Sequence, residues 1–199
     1  ALYKEETIIS LADLFERTID GFLKAPTLAE IALISPAEWL RCEAFNRTAV
    51  PYDTSLTLVA MLRQQARRTP DNIALVYQQV QLTYAELDAV TDRLAKHISS
   101  LGIGREDIVP ILLAKSELMT IASIGVLKAG AAYQPLDPTY PRERLSFMIG
   151  DTQARLMIAD AELLELVPDY AGAVIRTADI YALPDSEVVL SDPRPEDLM

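Results

Sequence analysis

Apolar residues recur every three or four positions between Glu6 and Lys24, where Ile8, Leu11, Phe15, Ile19 and Phe22 share one stripe. That spacing is the mark of an amphipathic helix with one face to bury. Pro26 ends it. No neighbouring element in the sequence offers the stripe a partner. The helix is therefore expected either to fold back on the rest of the chain or to pack on a separate domain. Pro26, Pro36 and Pro51 punctuate residues 25–55. Within them Ser35-Pro36-Ala37-Glu38 reads as a helix start, with a cap, a proline at the first helical position and an acid in the first turn. Trp39, Leu40 and Phe45 are too many large apolar groups for a flexible linker, so an ordered one is expected.

From residue 56 the pattern becomes an alternation of helices and strands. Leu58, Met61, Leu62 and Ala66 predict a helix ending near Arg67, Arg68 and Pro70. Ile73–Gln78 reads as a strand, with Val80, Leu82 and Tyr84 returning beside it, although the turn between them has no Gly or Asn. Thr83 and Glu86 form a capping box. The helix they open carries Leu87, Val90, Leu94, Ile98 and Leu101 and is closed by Gly102.

Ile108–Leu113 is almost wholly apolar, as a strand covered on both faces should be, but Pro110 inside it removes a ladder donor. A helix opened by Ser116 places Leu118, Ile121, Ala122, Gly125 and Val126 inward, and Lys128 and Gly130 close it. Further strands are expected at Ala131–Pro135, Leu156–Ile158, Ala173–Ile175 and Val188–Leu190. Helices are expected from Pro141, carrying Leu145, Met148 and Ile149, and over Ala161–Val167. This order predicts an α/β fold with a largely parallel sheet and right-handed crossovers, and no internal repeat is found.

Of 199 residues, half are hydrophobic and 24% charged, the composition of a globular chain. Lys and Arg total 18 against 29 Asp and Glu, a net charge of −11. Such a surface repels phosphate backbones and anionic membranes, which disfavours nucleic-acid or membrane partners. The single cysteine, Cys42, allows no intrachain disulfide and suits a reducing compartment. The opening residues have no basic region followed by an apolar run, so no signal peptide is expected, and the predicted setting is the cytoplasm.

Candidate chemistry is sparse. There is no Gly-x-x-x-x-Gly-Lys-Ser/Thr loop, no Cys-x-x-Cys, no His-Glu-x-x-His and no Gly-x-Ser-x-Gly. Gly102 and Gly104 follow a helix and precede a strand, the wrong order for a dinucleotide loop. Cys42 and the only histidine, His97, would need hydrogen-bond contact to act as a catalytic pair; one lies in the linker and the other beside an apolar stripe, so both read as filler. One His and one Cys cannot build a metal site without several carboxylates. Arg142 and Arg144 flank a helix start, where a phosphate would be favoured, although ion pairing with Glu143, Asp137 or Asp151 is the preferred reading.

Two stretches are specific. Leu82-Thr83-Tyr84-Ala85-Glu86-Leu87 is a capped helix entry. The run from Leu127-Lys128-Ala129-Gly130-Ala131-Ala132-Tyr133-Gln134-Pro135-Leu136-Asp137-Pro138 through Thr139-Tyr140-Pro141-Arg142-Glu143-Arg144-Leu145 is a helix stop, a tight buried strand and a proline-fixed turn into another helix. These stretches resemble the first two core motifs of the adenylation domain of nonribosomal peptide synthetases. Gln134 departs from the apolar residue, mostly Val, that is usual there, which puts local packing in question.

Leu101-Gly102-Ile103-Gly104 and Asp151-Thr152-Gln153-Ala154-Arg155 also fall where the family has similar segments, so the resemblance covers residues 56–199. Leu33-Ile34-Ser35-Pro36-Ala37-Glu38 with Phe45-Asn46-Arg47-Thr48 is similar to the junction after a condensation domain. On that likeness, residues 1–24 are expected to be the last helix of a condensation domain, 25–55 an inter-domain linker, and 56–199 the first part of the adenylation domain's N-terminal subdomain.

The resemblance implies activation of an amino acid with ATP and Mg, giving an aminoacyl adenylate, and its transfer to the phosphopantetheine thiol of a carrier domain. It implies as partners the remainder of the adenylation domain, an upstream condensation domain and a downstream carrier domain. In the family the phosphate loop follows a segment like Asp192-Pro193-Arg194-Pro195-Glu196-Asp197-Leu198. The chain is therefore expected to stop short of that loop, the amino-acid pocket, the ribose-binding aspartate and the catalytic lysine. No catalytic, cofactor-binding or metal residue is carried over, and these residues alone are expected to be inactive. An acyl- or aryl-CoA ligase, or a non-catalytic docking module, are the alternatives.

Overall fold

The computed structural model describes residues 3–191 and 193–197. Ala1, Leu2, Asp192, Leu198 and Met199 lie outside the described residues, and with them the ends of the Asp192–Leu198 segment. The chain divides into two compact units, Ala1–Tyr52 and Asp53–Met199.

In the first unit α1 spans Glu5–Lys24 and α2 spans Pro36–Asn46. The Ser35 hydroxyl accepts from the Glu38 N–H at 3.1 Å, and the Glu38 carboxylate accepts from the Ser35 N–H at 2.8 Å, the reciprocal box that fixes the start of α2. Arg17 on α1 ties the two helices: it pairs with Asp13, donates to the Leu33 carbonyl at 3.2 Å and reaches Glu38 at 3.3 Å. Neither helix buries a single residue. Ile8, Leu11, Phe15, Ile19 and Phe22 remain exposed, so the apolar stripe meets no partner within this unit.

In the second unit α3 (Leu58–Arg68) is capped by Thr57, whose hydroxyl accepts from the Ala60 N–H. Strands β1 (Ile73–Tyr77) and β2 (Val80–Thr83) form an antiparallel hairpin. Its turn manages without glycine because Gln78 itself takes the left-handed conformation, at φ 51°. Tyr84, expected on the returning strand, instead opens α4 (Tyr84–Ser100), since Thr83 is already that helix's cap.

The Glu86 carboxyl is held below its usual 4.5, chiefly by the Thr83 backbone N–H and then by the Thr83 hydroxyl. A depressed carboxylate contributes stability that is present above its unfolded value and lost as pH falls through the folded one. The wild-type protein is therefore expected to exceed Glu86→Gln in urea midpoint at neutral pH, and the gap to close as pH falls from about 5 to about 3. A gap that stays constant over that range would contradict the assignment.

The main sheet has the order β4-β3-β5-β6, with every pairing parallel. Its strands are β3 (Ile108–Leu112), β4 (Ala132–Leu136), β5 (Leu156–Ala159) and β6 (Ala173–Arg176). Between them run α5 (Glu117–Lys128) and α6 (Arg142–Asp151). The stretch expected as a short helix after β5 is a tighter 3₁₀ turn over Ala161–Leu166. Leu156 and Ile158 join one apolar cluster with α4 and α5, while Met157 and Ala159 join a second with α6. The sheet is thus covered on both faces, which is why β3 and β5 are apolar at nearly every position.

Pro110 is accommodated by the pairing. The Asp107 carbonyl faces β4, accepting from Ala132, and the Leu112 carbonyl faces β5, accepting from Asp160. Alternation along the strand turns Pro110 toward β5, which joins β3 only from Ile111 onward. No strand forms at Val188–Leu190, contrary to expectation. Among the described residues the sheet ends at β6 and no strand pairs with this stretch, and Val189 is 91% exposed.

Candidate functional site

In open α/β sheets, ligands bind outside the carboxyl ends of the strands, near the point where strand order reverses. Here the chain moves from β3 to β4 on one side and then to β5 and β6 on the other, so the reversal lies between β3 and β5. At that point Asp160, the residue after β5, joins three strand ends. Its backbone N–H donates to the Leu112 carbonyl at 3.1 Å. One carboxylate oxygen accepts from the Ala114 N–H at 2.7 Å, and the other accepts from the buried Thr177 hydroxyl just beyond β6. The loop from Leu113 to Ser116 is also held from the β1–β2 hairpin, where the Tyr77 hydroxyl donates to the Lys115 carbonyl at 2.6 Å.

Beside this junction, on the β3–β4 rim, lies an open groove of about 510 Å³. Leu113, Met119, Pro135, Leu136 and Tyr140 supply apolar walls, and Lys115 and Asp137 supply charge. Asp137 is fixed by its own turn: its carboxylate accepts from the Thr139 N–H at 2.9 Å and from the Thr139 hydroxyl at 2.8 Å. Those two bonds, the backbone one foremost, hold the Asp137 carboxyl below its usual 3.8. The groove offers a mostly apolar surface with charge from Lys115 and Asp137.

The residues considered from sequence do not converge here. Cys42 is exposed on α2 in the first unit. His97 is half-buried on α4 in the second, where its carbonyl accepts from Ser100. Among the described residues, no group of three His, Cys, Asp or Glu side chains could hold a metal ion. Arg144 stacks on the Tyr140 ring at 4.2 Å, edging the groove. Neither it nor Arg142 forms an ion pair with Glu143, Asp137 or Asp151 among the described residues, contrary to expectation. Gln134 donates to the Met148 carbonyl at 3.4 Å, and its buried side-chain oxygen finds no partner among the described residues.

Three contacts had no clear signal in the sequence. Lys128, 1% exposed, donates to the Asp88 carbonyl at 3.0 Å, to the Asp88 carboxylate at 2.5 Å and to Asp92 at 2.7 Å. Arg155 reaches both oxygens of Asp107 at 2.8 Å, bracing the opposite end of the sheet. Asp160 is the third. Its place immediately after a fully buried strand is the one hint, because a carboxylate there must find donors among neighbouring strand ends.

The family described as AMP-binding enzyme matches residues 62–197. Tyrocidine synthase 3 of Brevibacillus parabrevis is 34% identical over 185 residues, which are 92% of this chain and 3% of that protein. In fold, the chain is similar to the nonribosomal peptide synthetase FmoA3 in its AMPPNP-bound form, with a TM-score of 0.68 at 24% identity over 98% of this chain and 22% of that one. It is also similar to the Klebsiella oxytoca NpsA N-terminal subdomain in complex with 3-hydroxyanthranilyl-AMSN, with a TM-score of 0.63 at 22% identity over 70% of this chain and 36% of that one. The chain thus spans a small part of the proteins it matches. No helix among the described residues is long and apolar enough to cross a membrane.

Proposed function

The chain belongs to the AMP-binding enzyme family, and from that premise we propose that it serves as the N-terminal part of an amino-acid-activating adenylation domain in a nonribosomal peptide synthetase. In the whole enzyme the amino-acid carboxylate attacks the α-phosphorus of ATP. A mixed anhydride forms and pyrophosphate leaves; the thiol of a carrier domain's phosphopantetheine then attacks the carbonyl and releases AMP. The setting is the cytoplasm.

The observation that carries this reading is the course of residues 127–145. Leu127 and Lys128 end α5 buried, and Gly130 turns the chain at φ 81°, a conformation that disfavours a side chain. Ala131 and Ala132 pass buried into β4, and the proline-rich turn delivers Leu145 to the second apolar cluster. The helix–strand–turn–helix course is as expected, but it is not buried throughout: Tyr133 and Pro135 of β4 and most of the turn are exposed, because β4 is an edge strand of the described sheet, and the turn forms one wall of the groove.

Among the described residues no group of three His, Cys, Asp or Glu side chains could hold magnesium. This chain's part is the scaffold and the groove. The exposed stripe of α1 supports the companion reading that the first unit is the last helix and linker of an upstream condensation domain, whose body would cover Ile8, Leu11, Phe15, Ile19 and Phe22.

A synthetase module containing this segment is expected to exchange labelled pyrophosphate into ATP only when an amino acid is present, and then to load that amino acid onto its carrier thiol. Exchange driven by carboxylic acids lacking an amino group, with consumption of free coenzyme A, would assign the chain to an acyl-CoA ligase instead.

A further inference from the structure

We propose that Asp160 is a positioning residue of the adenylating module: with Tyr77 it fixes the Leu113–Ser116 loop, and through that loop the shape of the rim groove. The proposal rests on the reading given under Proposed function for the reaction in which the groove takes part.

The loop is the only link between β3 and α5, and two of its residues, Leu113 and Lys115, line the groove. Lys115 is exposed and, like Ala114, would be free to move if nothing held its backbone. Two bonds do hold it, from two separate sheets: the Ala114 N–H donates to Asp160, just after β5, at 2.7 Å, and the Lys115 carbonyl accepts from Tyr77 of β1 at 2.6 Å. Asp160 is itself immobilised through its backbone bond to Leu112, by accepting from the Leu163 N–H at 3.1 Å, and by the Thr177 hydroxyl. Both carboxylate oxygens are engaged within the protein, which suits the side chain to holding the loop. A loop pinned on two sides keeps the groove preformed, which removes the ordering cost that a binding group would otherwise meet.

Asparagine can reproduce the arrangement. Its oxygen accepts from Ala114, and its amide donates to the Thr177 oxygen once that hydroxyl hydrogen turns away. Alanine cannot, and leaves the Ala114 N–H to water.

The test uses the whole module and three variants, Asp160→Ala, Asp160→Asn and Tyr77→Phe, with Arg155→Gln as a control that loosens the opposite end of the sheet. For Asp160→Ala, hydrogen–deuterium exchange at residues 114–117 is expected to accelerate at least about tenfold, and kcat/KM for loading the carrier thiol to fall by about tenfold. Asp160→Asn should restore both to within about threefold, and Tyr77→Phe should show a smaller loss of the same kind. Arg155→Gln should leave both unchanged despite a lower melting temperature.

Loop exchange unaltered in Asp160→Ala would overturn the proposal. So would faster exchange with loading unchanged, or a loss that Asn fails to rescue. If the wild-type module shows no amino-acid-dependent activity, the functional reading fails. The exchange data then still decide whether Asp160 holds the loop.

Discussion

Lys128→Met is expected to lower the unfolding free energy of the second unit by about 2–3 kcal/mol, and Lys128→Glu to prevent its folding. The ammonium group is 1% exposed and has three donors, all used: one on the Asp88 carbonyl and one on each of the Asp88 and Asp92 carboxylates. Hydrogen bonds to charged groups contribute about 1.5–3 kcal/mol each, and burying an ammonium costs several kcal/mol, so the net sits well below the sum of the bonds. Methionine keeps the aliphatic stem packed and no longer has a charge to desolvate.

The two aspartates keep 32% and 37% of their side-chain surface open to water. They can rehydrate when the lysine is removed, which keeps the loss below the roughly 3–5 kcal/mol typical of breaking a fully buried pair. Glutamate would instead set a third carboxylate against the other two at a buried position, and Arg63, 3.6 Å from Asp92, would be left to offset three carboxylates. Asp88→Asn and Asp92→Asn should each cost less than Lys128→Met, because one carboxylate still serves the lysine. Urea denaturation followed by far-ultraviolet circular dichroism would give these values. A loss under about 0.5 kcal/mol for Lys128→Met would mean that the bonds merely replace hydration.

Lys128 also shows where reading the sequence stops. The end of α5 was legible, since Lys128 and Gly130 are ordinary helix-closing residues, but the reason for the lysine was not. Asp88 and Asp92, four residues apart on α4, look like a solvated face until α5 is laid across them. Periodicity located the α-helices and strands of the second unit and added one strand too many at Val188–Leu190, where three apolar residues have no neighbour to pair with. It also misjudged Tyr84: an aromatic at the end of an alternating run looks like strand, yet the Thr83–Glu86 box had already committed it to the helix. The 127–145 path was legible because prolines and small residues restrict it locally. The Asp160 junction was not, because its partners, Ala114 and Thr177, come from elements far apart in sequence, and only the strand order brings them together.

Gly125→Val is expected to cost about 3 kcal/mol or more, for a reason that concerns the same α4-facing side of α5, one turn before Lys128. A Cβ at residue 125 would lie 2.5 Å from Leu94 Cδ2, 2.8 Å from its Cγ and 3.1 Å from its Cβ. Leu94 is fully buried on α4, so the clash is with the body of a confined side chain and not with a tip that can swing aside. A glycine inside a helix costs about 1 kcal/mol relative to alanine. Its presence here therefore indicates that the approach of α4 and α5 is worth more than that.

Two terms decide the alanine variant. Gly125→Ala recovers about 1 kcal/mol of helix propensity and incurs about 1–3 kcal/mol of overpacking, leaving a loss of about 1 kcal/mol. Valine adds two methyl groups to the clash and recovers less propensity, being β-branched. The mechanism predicts coupling as well as loss: in Leu94→Ala the obstacle is gone, so adding Gly125→Val to it should cost about 1–2 kcal/mol less than in the wild type. A double-mutant cycle by urea denaturation reads that difference directly. Strict additivity would mean that the two helices separate on substitution instead of clashing at Leu94, and that their close approach is not what the glycine preserves.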